Sequence, residues 1–262
     1  MPSTDSGQQA PSATWLAPLA AGAISLLFYL PGLARHVVPG DVPIFLYRSS
    51  KLILDGFAQT HSLFLLVLHP LLQLPGISPP TAGSLLAAVS AAGAVALAYK
   101  TVHLLTKSHA AAATGAAALA VAHTMWFHGV IPEVYTLNAF FQAAALFFAC
   151  RWFIKQQSID LWLMAFFAAL GCMNHLLAGQ TLAVCLLWAA WVTHRQRRPR
   201  KDYAWACAAT LLGLAPLAIL IANDAARHGI AGAITFAATG SSGMLGGGTT
   251  TYANFMQNWD AI

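Results

Sequence analysis

The sequence predicts an all-α fold, a polytopic bundle of about seven transmembrane helices with surface or re-entrant helices in the first external loop. Of its 262 residues, 58% are hydrophobic and 8% charged, against about 25% charged in an ordinary soluble domain. Apolar stretches such as Ala110 to Trp126, Leu137 to Ile154 and Tyr203 to Ala222 approach or reach the about 20 residues that a helix needs to cross the hydrocarbon core. They are apolar on nearly every side, whereas a membrane β-barrel needs segments of about ten residues that alternate in polarity.

Residues 1–13 are polar and carry no Lys or Arg. They lack the basic start of a secretory signal peptide, so they read as a cytoplasmic tail, and Trp15 to Leu30 as a retained first span. Spans are expected at 14–33, 80–100, 110–126, 137–154, 160–176, 178–193 and 203–222. The external loop at 34–79 holds Val42 to Leu54, which reads as a half-apolar helix on the membrane surface with Arg48 and Lys51 on its polar side. It also holds the apolar run 62–75, whose length of about 14 residues and whose His69, Pro70 and Pro75 suit an interfacial or re-entrant segment.

Charge sets the orientation. If 62–75 crossed, Lys100 and Lys107 would fall opposite the HRQRRPRK cluster at 194–201. If it lies in the interface, nine of the thirteen basic residues share one side, as the positive-inside bias requires. That places the N-terminus in the cytoplasm and the last forty residues, 223–262, outside as a Gly-rich loop that is expected to be incomplete. The glycines of GSSGMLGGG at 240–248 lack the Lys-Ser/Thr of a phosphate-cradling loop. Cys150, Cys172, Cys185 and Cys207 all lie in apolar segments without CxxC spacing and read as small lipid-phase or core residues. The net charge of +5 is accounted for by the loops between spans, with no nucleic-acid surface implied.

In this topology the extracytoplasmic side collects His36, Asp41, Asp55, His61, His69, His128, Glu133, Tyr135, Asn174 and His175. Ionisable groups at membrane depth are expensive and face a cavity or a partner, so a shared polar site is expected there. Asp41 is the candidate general base, and Asp41 and Glu133 are the candidate carboxylates for a divalent cation. The simpler alternatives stay open. Asp41 also suits a helix N-cap, Glu133 a solvated residue in an aromatic belt after Pro132, and Asn174 a helix cap. The ten histidines show no HExxH or CxxCH spacing.

Three stretches in order resemble the GT-C superfamily of polytopic glycosyltransferases, most closely its bacterial branch of membrane proteins related to eukaryotic transmembrane O-mannosyltransferases. They are Gly40-Asp41 after the first span, Trp126 to Asn138 with its Pro-Glu-Val-Tyr-Thr-Leu-Asn core, and Gly171-Cys172-Met173-Asn174-His175. The resemblance implies transfer of a sugar from a polyprenyl-phosphate carrier to an extracytoplasmic acceptor protein or glycan, at a bacterial inner membrane. It implies that Asp41 is the base or metal-holding carboxylate and that His61, Glu133, Tyr135, Asn174 and His175 line the cavity. Arg48, Lys51 and His61 are the positive groups available to the departing phosphate. The family's second acidic residue after Gly-Asp is replaced by the Val42-Pro43-Ile44-Phe45 run, the prolines after its His by Ser62-Leu63-Phe64, and its Arg near the next span has no counterpart at Thr81 to Ser84. The same polar face also fits a non-catalytic membrane subunit that binds a lipid carrier or partner protein. A small-molecule transporter comes third, since no inverted repeat or paired broken helices appear.

Overall fold

A computed structural model describes residues 15–54, 61–195 and 200–239. The expected polar tail, Asp55 and the GSSGMLGGG segment lie outside the described residues. The described residues are predominantly helical, with no strand among them. In order, the helices are α1 (Leu16–Tyr29, continued by a 3-10 turn to Gly32), α2 (Val42–Ser50), α3 (Ser62–Leu72), α4 (Pro79–Thr106), α5 (His109–Val121), α6 (His123–Val130), α7 (Tyr135–Lys155), α8 (Ser158–Asn174), α9 (Ala178–Arg195) and α10 (Arg200–Thr239).

Several of these helices are apolar enough for an integral membrane protein, but the seven crossings expected from the sequence are not supported. Among the described residues three helices are long and apolar enough to cross, namely α4, α7 and Lys201–Arg227 of α10, and a fourth crossing results if the bent pair α5 and α6 counts as one span. Length is the reason. Leu16–Gly32 and α8 each have 17 residues, which at 1.5 Å per residue reach only about 25 Å of a hydrocarbon core about 30 Å thick. With 18 residues, α9 is long enough, but Gln180, Thr181, Thr193 and His194 dilute its apolar character. With 11 residues, α3 reaches about half the core thickness.

Three boundaries differ from expectation. The α2 helix stops at Ser50 rather than Leu54, because Lys51 caps it and Leu52 turns left-handed at φ 51°. The span expected at 110–126 breaks at Ala122, whose ψ of 128° is extended, and the two pieces meet at 59°. The Ala120 carbonyl, which an unbroken helix would pair with the amide of residue 124, instead accepts from Tyr29 Oη at 2.9 Å. A side chain inserted into the helical ladder is a sufficient cause of a kink. Finally, residues 223–239, expected in an external loop, continue α10 past a break at Gly229, where φ is 74°.

The packing centre is α4, which touches α1, α5, α6 and α7, while α8 packs on α7, α9 and α10. Close approach depends on small residues, as is usual where lipid tails offer helices no hydrophobic drive to associate. A Cβ on Gly83 of α4 would meet Pro132 at 2.6 Å, one on Gly93 would meet Phe140 at 2.8 Å, and one on Gly213 would meet the Phe166 carbonyl at 2.9 Å. Gly83 therefore lets the link between α6 and α7 press onto α4. One apolar cluster, formed by Val42, Phe45, Phe64, Leu68, Val134 and Phe141 among others, seats α2 and α3 against that link.

Gly83→Ala should lower the thermal stability of the detergent-solubilised protein by about 1–3 kcal/mol through overpacking. Gly115→Ala, where the new Cβ meets Val102 at an ordinary 3.4 Å, should be close to neutral. Equal melting temperatures for the two variants would contradict the tight contact at Pro132.

Candidate functional site

Gly40 adopts φ 113°, a conformation open to glycine, and turns the chain into α2 with Asp41 at the N-cap. The Asp41 side chain makes no capping hydrogen bond and is exposed. It occupies the position of a cap without serving as one, which leaves its carboxylate available.

On the far side of the site, Pro132 ends α6, and the residue before it, Ile131, is extended at φ −120°, ψ 155°, as a residue before proline prefers. The short link that follows carries Glu133, and Tyr135 opens α7. The third element is the end of α8. Asn174 is its last residue and is fully buried. Its carboxamide does not cap its own helix but donates to the Val134 carbonyl at 3.0 Å. Its own carbonyl accepts from His61 Nδ1 at 2.8 Å. One residue thus joins the start of α3, the elbow before α7 and the end of α8.

The aromatic rings continue this junction. Ring centres are separated by 4.6 Å between His128 and Tyr135, 5.7 Å between Tyr135 and His175, 5.0 Å between His175 and His61, and 5.5 Å between His61 and Phe45. The negative charge of Asp41 acts on His61, Glu133 and Tyr135. Asp41, His61, Glu133, Tyr135, Asn174 and His175, drawn from four separate stretches of sequence, therefore stand together. Arg48 and Lys51 lie in the last turn and at the C-cap of α2, with backbones about 10 Å or more along the helix axis from that of Asp41.

Electrostatics follow from partial burial. Glu133 is half-buried and next to Asp41, and its carboxyl is pushed up to about 7, chiefly by desolvation. Desolvation also lowers His61, which the Asn174 carbonyl and Asp41 partly offset, and it lowers His175. At neutral pH the site therefore holds neutral imidazoles and a carboxyl near its midpoint. Among the described residues no three His, Cys, Asp or Glu are grouped closely enough to hold a metal ion.

Sequence reasoning did not single out Thr136 and Asn138. Both are buried, and Thr136 Oγ1, Asn138 Oδ1 and Asn174 Oδ1 have no hydrogen-bond partner among the described residues. The signal available was Asn138 closing the Pro-Glu-Val-Tyr-Thr-Leu-Asn run one turn into an apolar helix, where a polar side chain is costly without a purpose.

The family model of the protein O-mannosyl-transferase TMEM260 N-terminal domain matches residues 60–199, more than half of the chain. The chain belongs to this family. It is a glycosyltransferase-related membrane protein. The TMEM260 N-terminal domain match takes in His61, Glu133, Tyr135, Asn174 and His175, whereas Asp41, Arg48 and Lys51 precede it. No curated protein and no solved structure matches the chain.

The folded pKa of Glu133 lies above its unfolded value, so its contribution to stability is present at low pH and is lost as pH rises through about 7. In pH-dependent thermal unfolding, Glu133→Gln should flatten this fall and Asp41→Asn should move it to lower pH. A Glu133→Gln profile identical to wild type would contradict the burial of this carboxyl.

Proposed function

We propose that the chain is a membrane glycosyltransferase of GT-C type that moves a sugar from a polyprenyl-phosphate donor to an acceptor protein or glycan on the extracytoplasmic side. The observation that carries this is the convergence of Asp41, Glu133, His61 and His175 at one end of a helical membrane protein of the TMEM260 N-terminal domain family.

Orientation favours it too. Trp15, at the start of α1, lies under the Lys100 ammonium at 4.6 Å, and Arg151 Nε pairs with the buried Asp160 at 3.1 Å. Lys107, Lys155, Arg195 and Lys201 stand at helix ends on that same side, opposite the site. The positive-inside bias would put that end in the cytoplasm and the Asp41 end outside, as expected at a bacterial inner membrane.

In this reaction Asp41 takes the proton of the acceptor hydroxyl as its oxygen attacks the anomeric carbon, and the bond to the donor phosphate breaks with its electrons remaining on the phosphate oxygen. Glu133, near its midpoint at neutral pH, holds the acceptor by donating or accepting a hydrogen bond. The donor's isoprenoid suits the apolar groove of about 440 Å³ along α1, α4 and α5, lined by Ile24, Phe28, Val95 and Val121. Two carboxylates fit a hard divalent cation whose remaining ligands are phosphate and water oxygens, so Asp41 and Glu133 are the residues that would hold one. Such a cation would supply positive charge beside the departing phosphate.

Asp41→Asn should lower sugar transfer from polyprenyl-phosphate donors by at least about 100-fold in membranes, with expression and membrane insertion unchanged. Transfer at the wild-type rate would overturn the role of Asp41. No transfer by an intact, inserted wild-type chain with any donor would favour a non-catalytic lipid-carrier subunit. Lys107→Cys should react with an impermeant thiol reagent only from the cytoplasmic face. Labelling from outside would reverse the orientation.

A further inference from the structure

His61 and His175 each commit Nδ1 to the backbone, and they do so in opposite senses. His61 Nδ1 lies 2.8 Å from the carbonyl oxygen of Asn174. A carbonyl only accepts, so this Nδ1 carries the proton, and in the neutral ring Nε2 keeps a free lone pair. His175 Nδ1 lies 3.2 Å from the amide nitrogen of Leu177, which only donates. That Nδ1 is therefore bare, and in the neutral ring the proton sits on Nε2. Burial favours the neutral form of both rings, the form in which the tautomer has consequences.

The fold goes to some expense to hold this arrangement. His61 adopts a left-handed backbone conformation at φ 46°, ψ 52°, which is uncommon for a residue other than glycine. A buried Asn174 fixes the position of the carbonyl it meets. With ring centres 5.0 Å apart, the two imidazoles present one acceptor nitrogen and one donor nitrogen within a single site.

We propose that His61 and His175 are a complementary acceptor and donor pair for the phosphate-sugar junction of the donor, with His175 Nε2–H donating to a phosphate oxygen and His61 Nε2 accepting from a sugar hydroxyl. This rests on the assignment of the site to a phosphate-linked sugar. It adds that both rings act as binding and positioning groups whose polarity the backbone sets. A phosphate, which at neutral pH offers mainly acceptors, pairs with the donor ring. A hydroxyl supplies the hydrogen that the acceptor ring requires.

The test is nitrogen NMR of the full chain in lipid nanodiscs with ¹⁵N-labelled histidine, using His61→Asn and His175→Gln to assign the two residues. The expected result is protonation at Nδ1 in His61 and at Nε2 in His175. Short-chain polyprenyl phosphate should shift only the His175 Nε2 signal, and the mannosylated form should shift both. His175→Gln, which keeps a donor near the Nε2 position, should bind polyprenyl phosphate much as wild type does, while His175→Ala should bind about tenfold more weakly or worse. Like tautomers in the two rings would overturn the pairing, and sugar transfer by the same preparation would leave the transferase assignment standing. The expected tautomers with no response to either lipid would overturn the phosphate-sugar role.

Discussion

Asn174 is the residue through which the rest of the site is held. It has no exposed surface, and it spends its backbone carbonyl on His61 and its carboxamide nitrogen on Val134. A buried carbonyl or amide left without a partner costs about 1–3 kcal/mol, so losing either contact carries a penalty, and together they constrain three segments at once. The His61 contact holds the start of α3, the Val134 contact holds the elbow that carries Glu133 and Tyr135, and the position of Asn174 at the end of α8 places His175 beside both. Its Oδ1 remains without a partner among the described residues.

The remainder of the fold keeps that junction in position. Gly83 lets Pro132 close onto α4, and Tyr29 takes over the Ala120 carbonyl where the chain bends from α5 into α6. The opposite end of the bundle has a different character. There Asp160, fully buried, pairs with Arg151, and Ser158 donates to Asp202 at 2.8 Å, which ties the start of α8 to the start of α10. A buried pair of this kind adds little net stability compared with an apolar pair, but breaking it is expensive, so it fixes how α7, α8 and α10 meet. That end gathers Lys107, Arg151, Lys155, Arg195 and Lys201, whereas Asp41, Glu133, His61 and His175 gather at the other.

Much of this was legible in the amino-acid sequence. Composition and run length gave a helical membrane protein, and charge distribution separated the basic end from the polar end. What the sequence could not carry was the three-dimensional closure. The contact between Asn174 and Val134 spans 40 residues and that between His61 and Asn174 spans 113, and no local pattern encodes either. The Tyr29 hydroxyl that meets the Ala120 carbonyl at the kink lies 91 residues away in the chain, so the segment reads as one continuous span. The seven expected crossings rest on apolar runs, and apolar character alone does not reveal that α8 ends after 17 residues.

The most direct measurement is cross-linking of Tyr135→Cys with His175→Cys in the full chain, using a short thiol-bridging reagent in native membranes. The rings they replace lie 5.7 Å apart across the contact between Asn174 and Val134, so an intramolecular cross-link should form readily. It should be strongly reduced when Asn174→Leu is added to the pair in a chain that still inserts and folds. Failure of the cysteine pair to cross-link, or cross-linking that is indifferent to Asn174→Leu, would contradict the assembly of the site around this residue.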